Sequence, residues 1–83
     1  MPTIVREGGF RVQVHSAPRE HPPPHVHVER RGQGEVLIEL GIHEPRLTIR
    51  EVRGMRDRDV LTAVRIVERH YDRLMKAWRA IHG

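Results

Sequence analysis

His21-Pro22-Pro23-Pro24-His25-Val26-His27-Val28 is the stretch whose reading decides the fold. From His25 onward, histidine and valine alternate with the period of a β-strand, whose successive side chains point to opposite faces. Val26 and Val28 then belong to a core, and His25 and His27 share the other face, roughly 7 Å apart. The three prolines cannot donate ladder hydrogen bonds, so they mark a stiff loop entering the strand.

Working outward, Thr3 to Arg6 and Phe10 to His15 flank Glu7-Gly8-Gly9, a glycine turn that suits a β-hairpin. Phe10, Val12 and Val14 share one face; Arg11, Gln13 and His15 share the other. After His25 to Arg30 the chain turns at Arg31-Gly32-Gln33-Gly34 and enters a third long strand, Glu35 to Leu40. Leu47 and Ile49 suggest a last short strand or a connector. The expected outer face carries Arg11, Gln13, His15, His25, His27, Glu29, Glu35 and Glu39. A two-sided antiparallel sheet of this kind leaves the histidine pair accessible, so substituting either removes no core volume.

The second half reads as one helix over 57–82, with Asp57 as its N-terminal cap. Val60, Val64, Val67, Tyr71, Leu74, Trp78 and Ile81 recur at alternating spacings of four and three, an apolar stripe with helical period. Lys76 and Arg79 stand near the negative end of the helix dipole. The expected architecture is therefore α+β, in one domain over 1–83. About four short antiparallel strands in the 1–50 half pack on one long C-terminal helix. A helix carrying that stripe is about 33 Å long, whereas strands of these lengths reach only about 17–20 Å. Leu74, Trp78 and Ile81 should thus overhang the sheet and offer an interface to a second copy or a small partner.

Composition narrows the function classes. An 83-residue chain has room for one small core, burying about 60% of the unfolded surface. There is no cysteine, which excludes disulfides, thiolate metal sites and cysteine nucleophiles. No apolar run approaches the roughly 20 residues of a membrane span. Arg6 and Glu7 interrupt the N-terminal apolar stretch too early for a signal peptide, so a cytoplasmic protein is the default. Net charge is +4, and Lys76 is the single lysine among 15 basic residues. Arginine forks pair bidentately with phosphate, which suits RNA or a ribosomal surface; Arg11, Arg30 and Arg31 are the candidate contacts. Eleven interspersed acidic residues make a merely solvated surface the competing explanation. The aromatic-rich face of a single-strand binder is missing, since Phe10, Tyr71 and Trp78 stand alone in their classes.

Three chemistries suit the histidines. Neutral imidazoles bind transition metals, and His25 with His27 would supply two ligands, with His21, His15 or Glu29 as a third. Alternatively, one imidazole removes a proton while another returns it, needing no cofactor; His25 and His27 would form that pair, with His21 nearby and Arg30, Arg31 or Arg11 stabilising phosphate charge. In the architectural alternative, His25 and His27 hold the proline loop by hydrogen bonds or stand beside Glu29, Glu35 and Glu39. The chain would then be a non-catalytic binding module.

The chain resembles the family catalogued as domain of unknown function 4160. Met1-Pro2-Thr3-Ile4 carries the resemblance, with Phe10, Ser16, His21 and Pro23-Pro24-His25-Val26-His27-Val28. Arg53-Gly54-Met55 and the end Trp78-Arg79-Ala80-Ile81-His82-Gly83 add to it. The loop Ala17-Pro18-Arg19-Glu20 departs from the family pattern in being more basic and proline-rich. The resemblance implies a small bacterial protein encoded beside a second one of the domain of unknown function 2442 type, similar to a toxin–antitoxin arrangement. This chain would be the candidate toxin, with His25 and His27 its functional residues and His21 and Ser16 after them. Taken with the basic composition and the acid/base reading of the histidines on a ribose 2′-hydroxyl, the enzymatic expectation is a metal-independent ribonuclease.

Overall fold

The structure is a computed structural model and describes residues 3–15 and 23–82. Ser16 and His21 lie outside the described residues.

Five antiparallel strands form one sheet in the order of the chain, β1 (Thr3–Glu7), β2 (Phe10–Gln13), β3 (His25–Arg30), β4 (Glu35–Leu40) and β5 (Leu47–Arg53). Two helices follow, α1 (Asp57–Arg69) and α2 (Tyr71–His82). The α+β class holds, with two corrections of detail. First, the Leu47–Ile49 segment is a full strand of seven residues. Its sequence hid this because a bulge in the β4–β5 ladder interrupts the alternation: Ile49 pairs with Ile38 and Val52 with Val36, which sets two core-side residues three apart.

Second, the long helix is two helices. His70, at φ −111° and ψ 19°, leaves the helical region, and its N–H is shared between the Ile66 and Val67 carbonyls at 3.2 Å each. Neither proline nor glycine marks the spot. Instead the His70 ring nitrogen lies 3.2 Å from Glu7 of β1, which also pairs with Arg69. Asp57 is not the cap either. Arg56 occupies that position without a side-chain bond, its carbonyl accepting from Asp59 and Val60 at 2.9 Å.

The core lies between the helices and one sheet face. Phe10, Val12, Val14, Val26, Val28, Val36, Ile38 and Leu40 meet Val60, Ala63, Ile66, Val67, Leu74 and Trp78. The break at His70 keeps the apolar stripe on the sheet, and this corrects the expected overhang. Leu74 and Trp78 are buried and Ile81 is half-buried, so they are core residues rather than a free interface.

The helices run from one end of β3 to the other. At its Arg30 end, Arg30 donates to the buried Asp59 in the first turn of α1 at 2.7 Å and lies over the Phe10 ring. At its His25 end, Trp78 and His82 of α2 reach the sheet. Between them the Tyr71 hydroxyl donates to the Gly41 carbonyl, under the Arg46 guanidinium.

Candidate functional site

The strand register sets the outer face in rows. Arg6, Arg11, Glu29, Glu35 and Arg53 stand opposite one another across all five strands, and Thr3, Gln13, His27, Leu37 and Glu51 form the next row. His25 pairs with Glu39 and then Thr48. The sequence thus placed His25 and His27 on the expected face. Their exposure is another matter: His25 is 2% and His27 6% exposed, so the pair is buried, not accessible.

Imidazole and indole rings lie against the pair. His15 stacks on His27 with centroids 3.6 Å apart and planes within 3°. His27 lies 5.4 Å from His25, His25 lies 5.0 Å from Trp78, and Trp78 lies 3.8 Å from His82. His82 closes the circuit, its Nε2 lying 2.7 Å from the His15 carbonyl. A carbonyl only accepts, so that nitrogen carries a proton. Leu37, opposite His27 in register, is buried beside it.

Hydrogen bonds assign the tautomers. His25 Nδ1 is 3.0 Å from the Pro23 carbonyl and therefore donates to it. Arg50 Nη1, 3.5 Å from the same nitrogen, cannot donate to it while that proton is in place. His27 Nδ1 donates to Glu35 at 2.9 Å. Both rings are thus turned by their Nδ1 protons, one holding the proline segment against the strand as the architectural alternative requires. An imidazole oriented by a carboxylate also has the form of an acid/base pair. Nδ1 bonds of this kind accompany metal-binding histidines as well. Yet among the described residues no group of three or more histidines and carboxylates converges as a metal site. Two of the expected third ligands are turned elsewhere, His15 stacking on the His27 ring and Glu29 pairing with Arg11.

The arginines separate by role. Arg30 is tied to Asp59 and Phe10, and so holds the sheet to α1 rather than facing the histidines. Arg11 pairs with Glu29. Arg31 is exposed at the β3–β4 turn, where it joins Arg6, Arg11 and the glycine turn Gly8-Gly9 around an open cleft of about 570 Å³. Glu7 and Glu29 also line it, but Glu7 is paired with Arg69 and His70 and Glu29 with Arg11. Among the described residues, Arg6 and Arg31 have no carboxylate partner. The sequence reading missed Arg6 here; the hairpin register, which sets Arg6 beside Arg11, is the signal that finds it. It also missed Trp78 and His82 as neighbours of the histidine pair, because no local pattern links residues so far apart in the chain.

No helix of the described residues is long and apolar enough to cross a membrane. No curated protein and no solved structure matches the chain. The family model for Domain of unknown function (DUF4160) matches residues 9–79, which takes in the hairpin's second strand, the histidine strand, β5 and nearly all of both helices. The chain belongs to the DUF4160 family.

Proposed function

We propose that this protein is an RNA-directed binding module that grips the phosphate backbone through the arginine cleft, while the histidine cluster shapes the sheet rather than cutting the strand. One contrast carries this reading. His25 and His27 are 2% and 6% exposed, whereas Arg6 and Arg31 stand exposed beside glycine turns whose missing side chains let a phosphate approach the backbone. In the two-gene arrangement that the family resemblance implies, such a module would act as the toxin by occupying RNA. A small neighbour of the domain of unknown function 2442 type would neutralise it.

Fluorescence anisotropy with a single-stranded RNA oligonucleotide tests the surface. The Arg6→Ala, Arg31→Ala double variant should bind more weakly, and its salt-dependence slope should fall by about 1.4, at about 0.7 per lost phosphate contact. Equal slopes for variant and wild type would remove the cleft from the mechanism. Growth under verified soluble expression, with and without the neighbouring protein, tests the toxin role. Unimpaired growth would remove it.

A second reading is favoured by the His27–Glu35 bond alone: acid/base cleavage of RNA with His25 as the other imidazole. It requires 2′,3′-cyclic phosphate ends on RNA incubated with purified protein. Such products, lost in His27→Asn, would replace the binding reading.

A further inference from the structure

Besides Ile42 in the β4–β5 loop, which is 70% exposed, the exposed large apolar residues among those described stand on β5 and α1. Ile49 and Val52 on the edge strand β5 are 49% and 45% exposed, and Leu61 on α1 is 58% exposed. These three belong to one strip. Ile49 and Val52 pair with Ile38 and Val36 and therefore point to the helix side of the sheet. α1 packs against both β4 and β5, and its Val64 and Glu68 line a cleft with Leu47. Leu61 precedes Val64 by one turn on the same side of α1, toward the Val52 end of β5. Helix and strand thus leave an open apolar edge between them.

β5 also carries the information to choose its occupant. A two-fold axis perpendicular to a sheet, pairing a strand with its own copy in antiparallel fashion, must set one residue opposite itself. At Arg50, Glu51 or Arg53 this opposes like charges, and at Thr48 it sets Arg46 against Arg50 on both sides of the axis. At Ile49 it opposes Leu47 to Glu51, which the bulge has turned to different faces. At Val52 every neighbour agrees: Val52 meets Val52, and Glu51 meets Arg53 of the copy on both sides of the axis. Within one copy Arg53 already pairs with Glu51 and Glu35 and holds the Glu51 carboxyl below the usual carboxylate range, so the reciprocal contacts would join two such networks across the axis. With strands about 4.8 Å apart, helices seated over β4 and β5 in each copy come to lie about 10 Å apart, which is helix contact distance.

We infer that the protein forms a symmetric dimer through β5, with Val52 on the two-fold axis, reciprocal Glu51–Arg53 pairs beside it, and Leu61 covered by α1 of the second copy. This surface is separate from the arginine cleft, so the dimer stands or falls independently of the RNA reading.

Sedimentation of the full chain from micromolar to millimolar concentration is the test, with circular dichroism melts confirming that each variant folds. Wild type should dimerise, and Val52→Arg or Leu61→Glu should raise the dissociation constant about 30-fold or more. Glu51→Arg and Arg53→Glu should each weaken self-association. An equal mixture of those two should recover it, because arginines of one chain then face glutamates of the other. A wild-type monomer throughout that range would overturn the inference. So would a dimer indifferent to Val52→Arg, or a mixture that associates no better than its separate components.

Discussion

At the scale of single residues, the histidine pair teaches that a face is not an environment. Alternation assigns His25 and His27 to the side opposite Val26 and Val28, and the register agrees. Neighbours then cover the two rings: His15 over His27, Trp78 of the core beside His25, and Leu37 in the adjacent strand. A consequence runs against the expectation for an accessible strand. His27→Ala should destabilise the protein by about 2 kcal/mol, through the void left under His15 and the lost bond to Glu35. Urea unfolding measures it, and a change below about 0.5 kcal/mol would mean the ring contributes little to the fold. Arg30 offers the complementary case. It is a plausible phosphate ligand by type, but Asp59, a buried carboxylate in the first turn of α1, already engages it.

At the scale of elements, close approaches between distant turns decide what substitutions are tolerated. The β3–β4 turn crosses the connector between β5 and α1 at two glycines. A Cβ on Gly34 would lie 2.5 Å from the Gly54 carbonyl carbon and 2.6 Å from the Arg53 carbonyl oxygen, and Gly34 has φ +96°. Both the backbone angle and the contact require glycine. Gly34→Ala should therefore cost about 3 kcal/mol or more, whereas a serine in place of exposed Gln33 should be nearly neutral. Thermal melts of the two variants distinguish a local contact from a general sensitivity of the turn; similar losses in both would contradict it. The two helices show the same dependence on distant partners. Their apolar stripe is continuous across His70, yet Glu7 holds Arg69 and His70 where the helix gives way.

At the scale of the whole molecule, the helix pair is sewn to the sheet at separated points: Asp59 to Arg30, Glu7 to Arg69 and His70, Tyr71 to Gly41, and His82 to the His15 carbonyl. Trp78 is the largest side chain at the far end of this seam, at 5% exposure. Trp78→Ala should cost about 3–5 kcal/mol, the range for a buried aromatic truncated to a methyl, a large part of the stability of a domain this small. In the intact protein its fluorescence should resist acrylamide until the chain unfolds. Quenching in native buffer as efficient as that of free tryptophan would contradict its burial against His25 and His82.

The period-two alternation of Phe10 to Val14, His25 to Arg30 and Glu35 to Leu40, together with the seven-residue stripe from Val60 to Ile81, by themselves determined an antiparallel sheet under helix. Hydrophobic periodicity needs only local geometry to be read, and it held for these strands and for the helical character of the second half. β5 escaped because its bulge puts Ile49 and Val52 out of phase, and a bulge exists only relative to the strand it pairs with. The helix break escaped because the contacts found there, Glu7 with Arg69 and His70, join segments far apart in the chain. Tertiary structure alone decided that His25 and His27 are buried, that Trp78 is core rather than interface, and that Arg6 and Arg31 face open solvent beside turns of different hairpins. Each of these depends on which residues of distant segments share the space around a side chain, and no local period carries that information.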